Sequence, residues 1–282
     1  MQTKLPERPV IHRWGKPDKK SLLFLHANSF SAKMYQPFLA PLFDSYDIIA
    51  PDLPGHGESR WNGRIGDWEM DMAEFYSRFL QKNPPQQPMV GMGHSIGGVV
   101  IMLLAIKHPQ WFSQIVLLDP VMLPKRILAV IRVLRQFSLT HLIPLAQAAN
   151  KRRQKFSSTQ QALDHYSSKQ VFSHWDQRFL EAYVATCLHQ DRSGGLQLSC
   201  APQLESSIYQ SIPLNVWALP RKLSTPSLFI IGEHSDTVNQ RGVKRLRRLL
   251  GNDVVKRIDG GHLFPFEKPA ASIELIKDFL SI

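Results

Sequence analysis

The sequence predicts an α/β fold: a doubly wound, mostly parallel sheet flanked by helices, with a helical insertion. Three observations predict it. Short apolar runs typical of buried strands alternate with segments of helical periodicity. A Gly-x-Ser-x-Gly pattern centred on Ser95 lies between one such strand and the next helix. The alternation stops near residue 120 and resumes near residue 220, which indicates an insertion into the sheet.

The predicted strands are short runs rich in apolar and β-branched residues, as expected of strands buried on both faces. They are residues 22–26, 47–50, 89–92, 115–118, 227–231 and 253–258. Helices are predicted between them, including residues 96–106, a helix capped by Asp67 and a last helix after Pro269. Residues 32–43 are also predicted to be helical, with Pro37 kinking or restarting the helix.

The segment around Ser95 predicts a sharp turn from strand to helix. Gly93 and Gly97 lack the Cβ atoms that would collide in such a turn. The turn holds the serine hydroxyl at the tip of the strand, above a helix N-terminus. A serine hydroxyl becomes a nucleophile when a general base accepts its proton, so a base, a supporting carboxylate and two N–H donors are required elsewhere.

The predicted base is His262. It follows the strand 253–258 on the turn Gly260-Gly261, where a histidine is well placed to reach a site above the sheet edge. The alternative is an ordinary exposed turn histidine, one of eleven in the chain.

The predicted acid is Asp236, on the loop after the strand 227–231 and one strand before His262. Its alternative role is to cap the following helix. Asp119 is the rival, because it ends the apolar strand 115–118 with a carboxylate. Glu233 shares the loop of Asp236 and is a weaker candidate, since it lies next to the strand end.

The predicted oxyanion donors are two backbone N–H groups. The first is that of Ile96, the residue after the nucleophile. The second is that of Asn28, on the loop after the strand 22–26, with Ala27 as the neighbour that can replace it. The alternative is that this loop only connects a strand to a helix.

Taken in order, these motifs resemble those of the α/β-hydrolase superfamily, in its serine-nucleophile branch. The matching segments are residues 26–28, 52–59 and 93–98, followed by the pair Asp236 and His262. One departure is Ala27, where the family usually has glycine; since alanine disfavours positive φ, the loop that supplies the second donor departs from the family's pattern, and both Asn28 and Ala27 stay candidates for that donor. The resemblance covers residues 8–122 and 219–282.

The resemblance implies a serine hydrolase that cleaves a small-molecule carboxylic ester through an acyl-enzyme. The same side chains can serve a carbon–carbon bond hydrolase, a thioesterase or a lactonase, and a non-catalytic binding scaffold is a further alternative. Ser95 stands where haloalkane dehalogenases and epoxide hydrolases have aspartate and where dienelactone hydrolases have cysteine. The residues show no metal-ligand spacing, so we expect neither a metal nor a cofactor.

Composition predicts a cytoplasmic location. The N-terminal residues lack a signal-peptide pattern, no apolar stretch is long enough to span a bilayer, and two cysteines do not indicate a disulfide framework.

The net charge of +11 is unusual and would suit an anionic partner. Without a nucleic-acid motif or interleaved aromatics, we expect an ester or acyl substrate and no nucleic acid. The sequence leaves the oligomeric state open.

We divide the chain into a core, residues 1–122 and 219–282, and an inserted segment, residues 123–218. The inserted segment is expected to be helical, with helices at residues 164–169 and 176–189, and the resemblance implies that it forms a cap over Ser95. Trp175, Phe172, Phe137 and Met122 are candidate pocket residues, which core packing explains equally well. The basic, apolar helix from Lys125 to Leu139 is a possible membrane contact, which we do not expect.

Overall fold

In the computed structural model, residues 5–6, 8–61, 63–192 and 194–282 are described. The strands of these residues, numbered in chain order, are β1 (Ile11–Gly15), β2 (Lys20–Leu25), β3 (Tyr46–Pro51), β4 (Met89–His94), β5 (Phe112–Leu118), β6 (Lys155–Phe156), β7 (Leu188–Gln190), β8 (Leu196–Leu198), β9 (Ser227–Gly232) and β10 (Val255–Ile258). The α-helices are α1 (Gln36–Leu39), α2 (Glu74–Lys82), α3 (Ile96–Lys107), α4 (Lys125–Gln136), α5 (Pro144–Asn150), α6 (Thr159–Ser167), α7 (Gln177–Cys187), α8 (Pro202–Gln210), α9 (Gln240–Leu250), α10 (Phe264–Glu267) and α11 (Pro269–Leu280).

Seven strands form one sheet in the order β1-β3-β2-β4-β5-β9-β10. All neighbours are parallel except β1, which runs antiparallel to β3. The predicted doubly wound, mostly parallel sheet is therefore confirmed, and each of the six predicted strands is present. Sequence reasoning missed β1, because this edge strand mixes polar His12 and Arg13 with apolar neighbours and carries no buried apolar run.

The carboxyl ends of the parallel strands lie at one edge of the sheet, so the loops after β2, β4, β5, β9 and β10 meet there. Helix α3 packs against β4 and β5, and its residues from Ile96 to Ala105 are buried. A helix buried on all sides holds the turn before it, and with it Ser95, in a fixed place.

Two helical predictions have a more detailed outcome. Asp67 caps its helix as predicted, accepting from the N–H groups of Glu69 and Met70, but the helix opens with a π-helical stretch, Trp68–Ala73, before α2. Residues 32–43 are broken into two 3₁₀ turns on either side of α1. Pro37 lies in the first turn of α1, which agrees with a restart there.

The inserted segment contains helices α4 to α8 and a small antiparallel sheet in the order β6-β8-β7. The sheet corrects the expectation of a purely helical insertion. The helix predicted to reach residue 189 ends at Cys187, because the chain then extends to pair Leu188 with Leu198. The helix predicted at residues 164–169 is α6, which begins earlier. The division at residues 123 and 218 remains a prediction.

Within the described residues, we find no helix with the length and apolar character needed to cross a bilayer. The prediction that the N-terminus lacks a signal-peptide pattern concerns residues 1–6, of which residues 1–4 lie outside the described residues. The cytoplasmic location remains a prediction.

Candidate active site

Ser95 lies in the turn between β4 and α3 with φ +57° and ψ −120°, a backbone conformation that non-glycine residues seldom adopt. A Cβ on Gly97 would lie 2.1 Å from the carbonyl oxygen of Leu25, so only glycine fits there. The N–H of Ser95 donates to the carbonyl of Leu118 at 2.9 Å, which ties the turn to β5. The structure thus has the sharp strand-to-helix turn that the glycine spacing predicts.

His262 faces the hydroxyl of Ser95, with Nε2 2.9 Å from Oγ. At this distance the imidazole can accept the hydroxyl proton. His262 lies on the loop between β10 and α10, and this loop is held by a 2.7 Å hydrogen bond from the Gly261 N–H to the carboxylate of Glu267. The structure therefore brings together the two residues that the sequence assigns as nucleophile and base.

The carboxylate bonded to His262 is that of Asp119, whose Oδ2 lies 2.6 Å from Nδ1. Asp119 directly follows β5 and is fully buried. Its Oδ1 accepts from the N–H of Gly232 at 3.0 Å, and its Oδ2 accepts from the hydroxyls of Ser235 and Thr237, both at 2.6 Å. Four donors thus stabilise the buried negative charge and fix the carboxylate against the imidazole.

The prediction that Asp236 holds His262 is wrong; Asp119, weighed as the rival, occupies that place. Asp236 does lie on the loop after β9, but its side chain is exposed. Its neighbours Ser235 and Thr237 turn inward and donate to Asp119 instead. A loop residue between two inward-turned neighbours faces outward, which explains why the loop supplies hydroxyl donors and not the carboxylate.

The surroundings of His262 raise its pKa above the ordinary value. Burial acts to lower that pKa, but the hydrogen bond and charge of Asp119 outweigh it, and the more distant charges of Asp236 and Glu267 act in the same direction. Asp236 therefore acts on the imidazole through its field and not through a hydrogen bond.

The predicted oxyanion donors lie on two loops at the same sheet edge. Ile96 is the first residue of α3, so its N–H has no acceptor within the helix. Asn28 is 7% exposed in the loop after β2, next to Ser29, whose φ is +72°. The N–H of Ala27 already donates to the hydroxyl of Tyr35 at 3.4 Å, which favours Asn28 over Ala27. The roles of Ile96 and Asn28 as donors remain predictions.

A buried chain of hydrogen bonds runs from the N–H of Ala27, in the loop after β2, through Tyr35 and His94 to the loop that carries His262. Burial lowers the pKa of His94 well below its ordinary value, so the ring is neutral and has one N–H. Because its Nε2 faces the carbonyl of His262 at 2.9 Å, the N–H is on that atom. The hydroxyl of Tyr35 then donates to Nδ1 at 2.6 Å. Sequence reasoning gave neither residue a role; the sequence signal was the histidine next to Ser95.

The inserted segment also reaches the loop after β2, through a partly buried ion pair. The guanidinium of Arg152 donates to the carboxylate of Glu205 at 2.5 Å, to the Tyr183 hydroxyl at 2.5 Å and to the Ser29 hydroxyl. The side chain of Asn28 donates to the Glu205 carbonyl at 3.3 Å. The sequence gave no signal for this contact, since Arg152 lies in a run of basic residues typical of an exposed surface.

Comparison with known proteins identifies relatives along nearly the whole chain. A family model described as "alpha/beta hydrolase fold" matches residues 20–269. The chain is similar to the uncharacterized hydrolase YugF of Bacillus subtilis, with 27% identity over 274 residues that cover 94% of this chain and 91% of the relative. It is also similar to the magnesium-chelatase 30 kDa subunit of Rhodobacter capsulatus, with 29% identity over 265 residues, 88% of this chain and 82% of the relative.

Solved structures share the fold. The E-2-(acetamidomethylene)succinate hydrolase superposes with a TM-score of 0.80 at 18% identity, covering 96% of this chain and 94% of that one. At this identity the likeness extends to the fold, and the functional argument depends on the side chains of this chain.

Proposed function

Because the chain belongs to the alpha/beta hydrolase family and is an enzyme of that class, we propose that it cleaves a small-molecule carboxylic ester with Ser95 as nucleophile. One observation carries the proposal. Ser95 Oγ, His262 and Asp119 form a continuous line of two hydrogen bonds, 2.9 Å and 2.6 Å long, beneath a strained nucleophile turn. A binding scaffold would have no use for this arrangement.

In the proposed first half-reaction, Ser95 Oγ attacks the ester carbonyl while His262 Nε2 takes its proton. The negative charge on the former carbonyl oxygen is held by the N–H groups of Ile96 and Asn28. His262, now an imidazolium, protonates the leaving alcohol, and the acyl group remains on Ser95. Asp119 accepts the Nδ1–H throughout, which keeps Nε2 free to act as the base.

The second half-reaction repeats these steps with water in place of Ser95. His262 takes a proton from the water, the hydroxide attacks the acyl carbonyl, and Ser95 leaves with the proton that His262 returns. The raised pKa of His262 assists protonation of the leaving group in each half-reaction.

The test is hydrolysis of p-nitrophenyl esters from acetate to palmitate, together with labelling by a fluorophosphonate located by mass spectrometry. We expect labelling at Ser95 and, in Ser95→Ala, a fall in turnover on the order of 10⁶. Ser113→Ala is the matched control, because the Ser113 hydroxyl donates to the carbonyl of Met89 at the far end of β4. This control should retain both labelling and turnover.

Two results would contradict the proposal. Labelling that persists in Ser95→Ala would show that Ser95 is not the nucleophile. Labelling at Ser95 with no hydrolysis of any ester in the series would overturn the ester assignment and favour the carbon–carbon bond hydrolase instead.

A further inference from the structure

Helix α4, the turn after it and the start of α5 carry exposed apolar side chains, here called the apolar patch. Its members are large hydrophobic side chains, each 44–66% exposed: Ile127, Val130, Val133, Phe137, Leu142 and Leu145. Such a concentration of exposed aliphatic and aromatic side chains on one short stretch marks a surface that contacts another body.

The position of these residues on α4 shows that the patch is additional to the core. Leu128 and Ile131 are buried and pack the inner face of the helix. Ile127, Val130 and Val133, spaced three apart, lie on an exposed face that borders the buried one, so the apolar surface of α4 is wider than its buried stripe. An ordinary surface helix has one apolar stripe and an opposite polar face.

Helix α9 shows what an ordinary surface helix looks like in this molecule. Val243 and Leu246 are its buried stripe, and Lys244 and Arg248 are exposed on its outer face. Helix α4 also carries lysine and arginine, so basic character does not distinguish the two helices. What distinguishes α4 is that valine and isoleucine are exposed on it as well.

The charge around the apolar patch selects the kind of partner. Residues 120–163 contain eight lysines and arginines and no aspartate or glutamate. Lys125, Arg126 and Arg132 are exposed on α4 itself. A second copy of the chain would bring the same positive charge to the contact, and a nucleic acid would leave the aliphatic side chains unmatched. An anionic lipid surface accepts both, with headgroups for the cations and acyl chains for the apolar side chains.

Contrary to the expectation from the sequence, and because of the apolar side chains that the structure exposes, we propose that α4 and the turn after it dock the protein on an anionic lipid surface, with the helix lying in the plane of the interface. A helix of twelve residues is too short to cross a bilayer, so docking at the surface is the geometry that remains for it. The proposal does not depend on the ester chemistry of Ser95.

The test is sedimentation of the full chain with vesicles of phosphatidylcholine, with and without phosphatidylglycerol. We expect binding only to vesicles that contain phosphatidylglycerol, weakened by added salt. Val130→Glu/Val133→Glu should reduce binding at least about tenfold. Met70→Glu/Val171→Glu, the same charge change at exposed apolar residues outside the patch, should stay within about twofold.

A second pair of variants tests the charge. Lys125→Glu/Arg126→Glu on α4 should weaken binding by at least about fivefold for each residue changed. Lys244→Glu/Arg248→Glu on α9 changes the net charge by the same amount and should leave binding nearly unchanged. Circular dichroism melts of all variants check that each is folded; the charge pair still decides the matter if Val130→Glu/Val133→Glu fails to fold.

Three results would overturn the proposal. The wild-type chain would remain in the supernatant with anionic vesicles. The α9 pair would weaken binding as much as the α4 pair, which would make the attraction a property of net charge alone. Or light scattering would show a dimer that Val130→Glu/Val133→Glu dissociates, which would identify the patch as an interface between copies.

Discussion

The loops after β5 and β9 each carry an aspartate that raises the pKa of His262, but one does so through a hydrogen bond and the other through its charge alone. Asp119 is fully buried, bonds to the imidazole at 2.6 Å and accepts three further hydrogen bonds. Asp236 is exposed and contributes only its charge. The strand before each aspartate ends at the same sheet edge, so strand position alone does not distinguish them.

The difference shows that a buried carboxylate depends on the donors around it. An uncompensated charge costs several kcal/mol to bury, so a buried carboxylate such as that of Asp119 needs hydrogen-bond donors, and the loop after β9 supplies two of them. That loop acts through the hydroxyls of Ser235 and Thr237. The two loops therefore form one unit, in which one provides the acid and the other stabilises it.

Exchanging each carboxylate for an amide separates these roles most strongly. Asp119→Asn should lower kcat about 10⁴-fold, because an amide can hold His262 in the wrong tautomer and does not stabilise the imidazolium. Asp236→Asn should change kcat by less than about threefold, since an exposed charge is largely screened by solvent. Both are measured with the best p-nitrophenyl ester. A larger loss in Asp236→Asn than in Asp119→Asn would reverse the assignment.

The fold was predictable because its signals are local. Runs such as residues 115–118 and 227–231 have the length and β-branched content typical of buried strands, and Gly97 is required by a backbone contact that any residue with a Cβ would break. The edge strand β1 and the small sheet of the inserted segment were not predictable. These strands are short and mix polar with apolar residues, and their pairing depends on partners outside the strand itself, such as Leu198 for Leu188.

The site residues were predictable where the local sequence around a residue determines its position. Ser95 and His262 sit in glycine turns whose geometry the sequence encodes, and the structure places them in contact. The choice between Asp119 and Asp236 depends on which way a loop turns, which no local pattern gives. The contact of Arg152 with Ser29 joins positions that are 123 residues apart, so it required the folded chain.

Removing a single hydroxyl from the loop after β9 tests whether that loop stabilises Asp119. Thr237→Val should lower the free energy of unfolding by about 1.5–3 kcal/mol, the range for a hydrogen bond to a charged group, and should lower kcat as well. The matched control is Thr225→Val, because Thr225 is also buried but its hydroxyl has no hydrogen-bond partner among the described residues. Equal losses of stability in the two variants would mean that the bond to Asp119 contributes nothing. Denaturant titration measures both.

The smallest expected effect is on the pH dependence of kcat/KM, which the charge of Asp236 changes by shifting the pKa of His262. His262 must be neutral to accept the proton of Ser95, so kcat/KM falls as pH decreases through the pKa of His262. Because that pKa is raised above 6.5, the acidic limb of the wild-type profile should lie above pH 6.5.

Asp236→Asn removes a charge that favours the imidazolium, so the limb should move to lower pH while the plateau is kept. Asp253→Asn, at an exposed aspartate before β10, is the control and should leave the limb in place. A limb that stays fixed in Asp236→Asn would show that the loop after β9 acts on His262 only through the two hydroxyls bonded to Asp119, and a limb that moves to higher pH would contradict the assigned effect of the Asp236 charge.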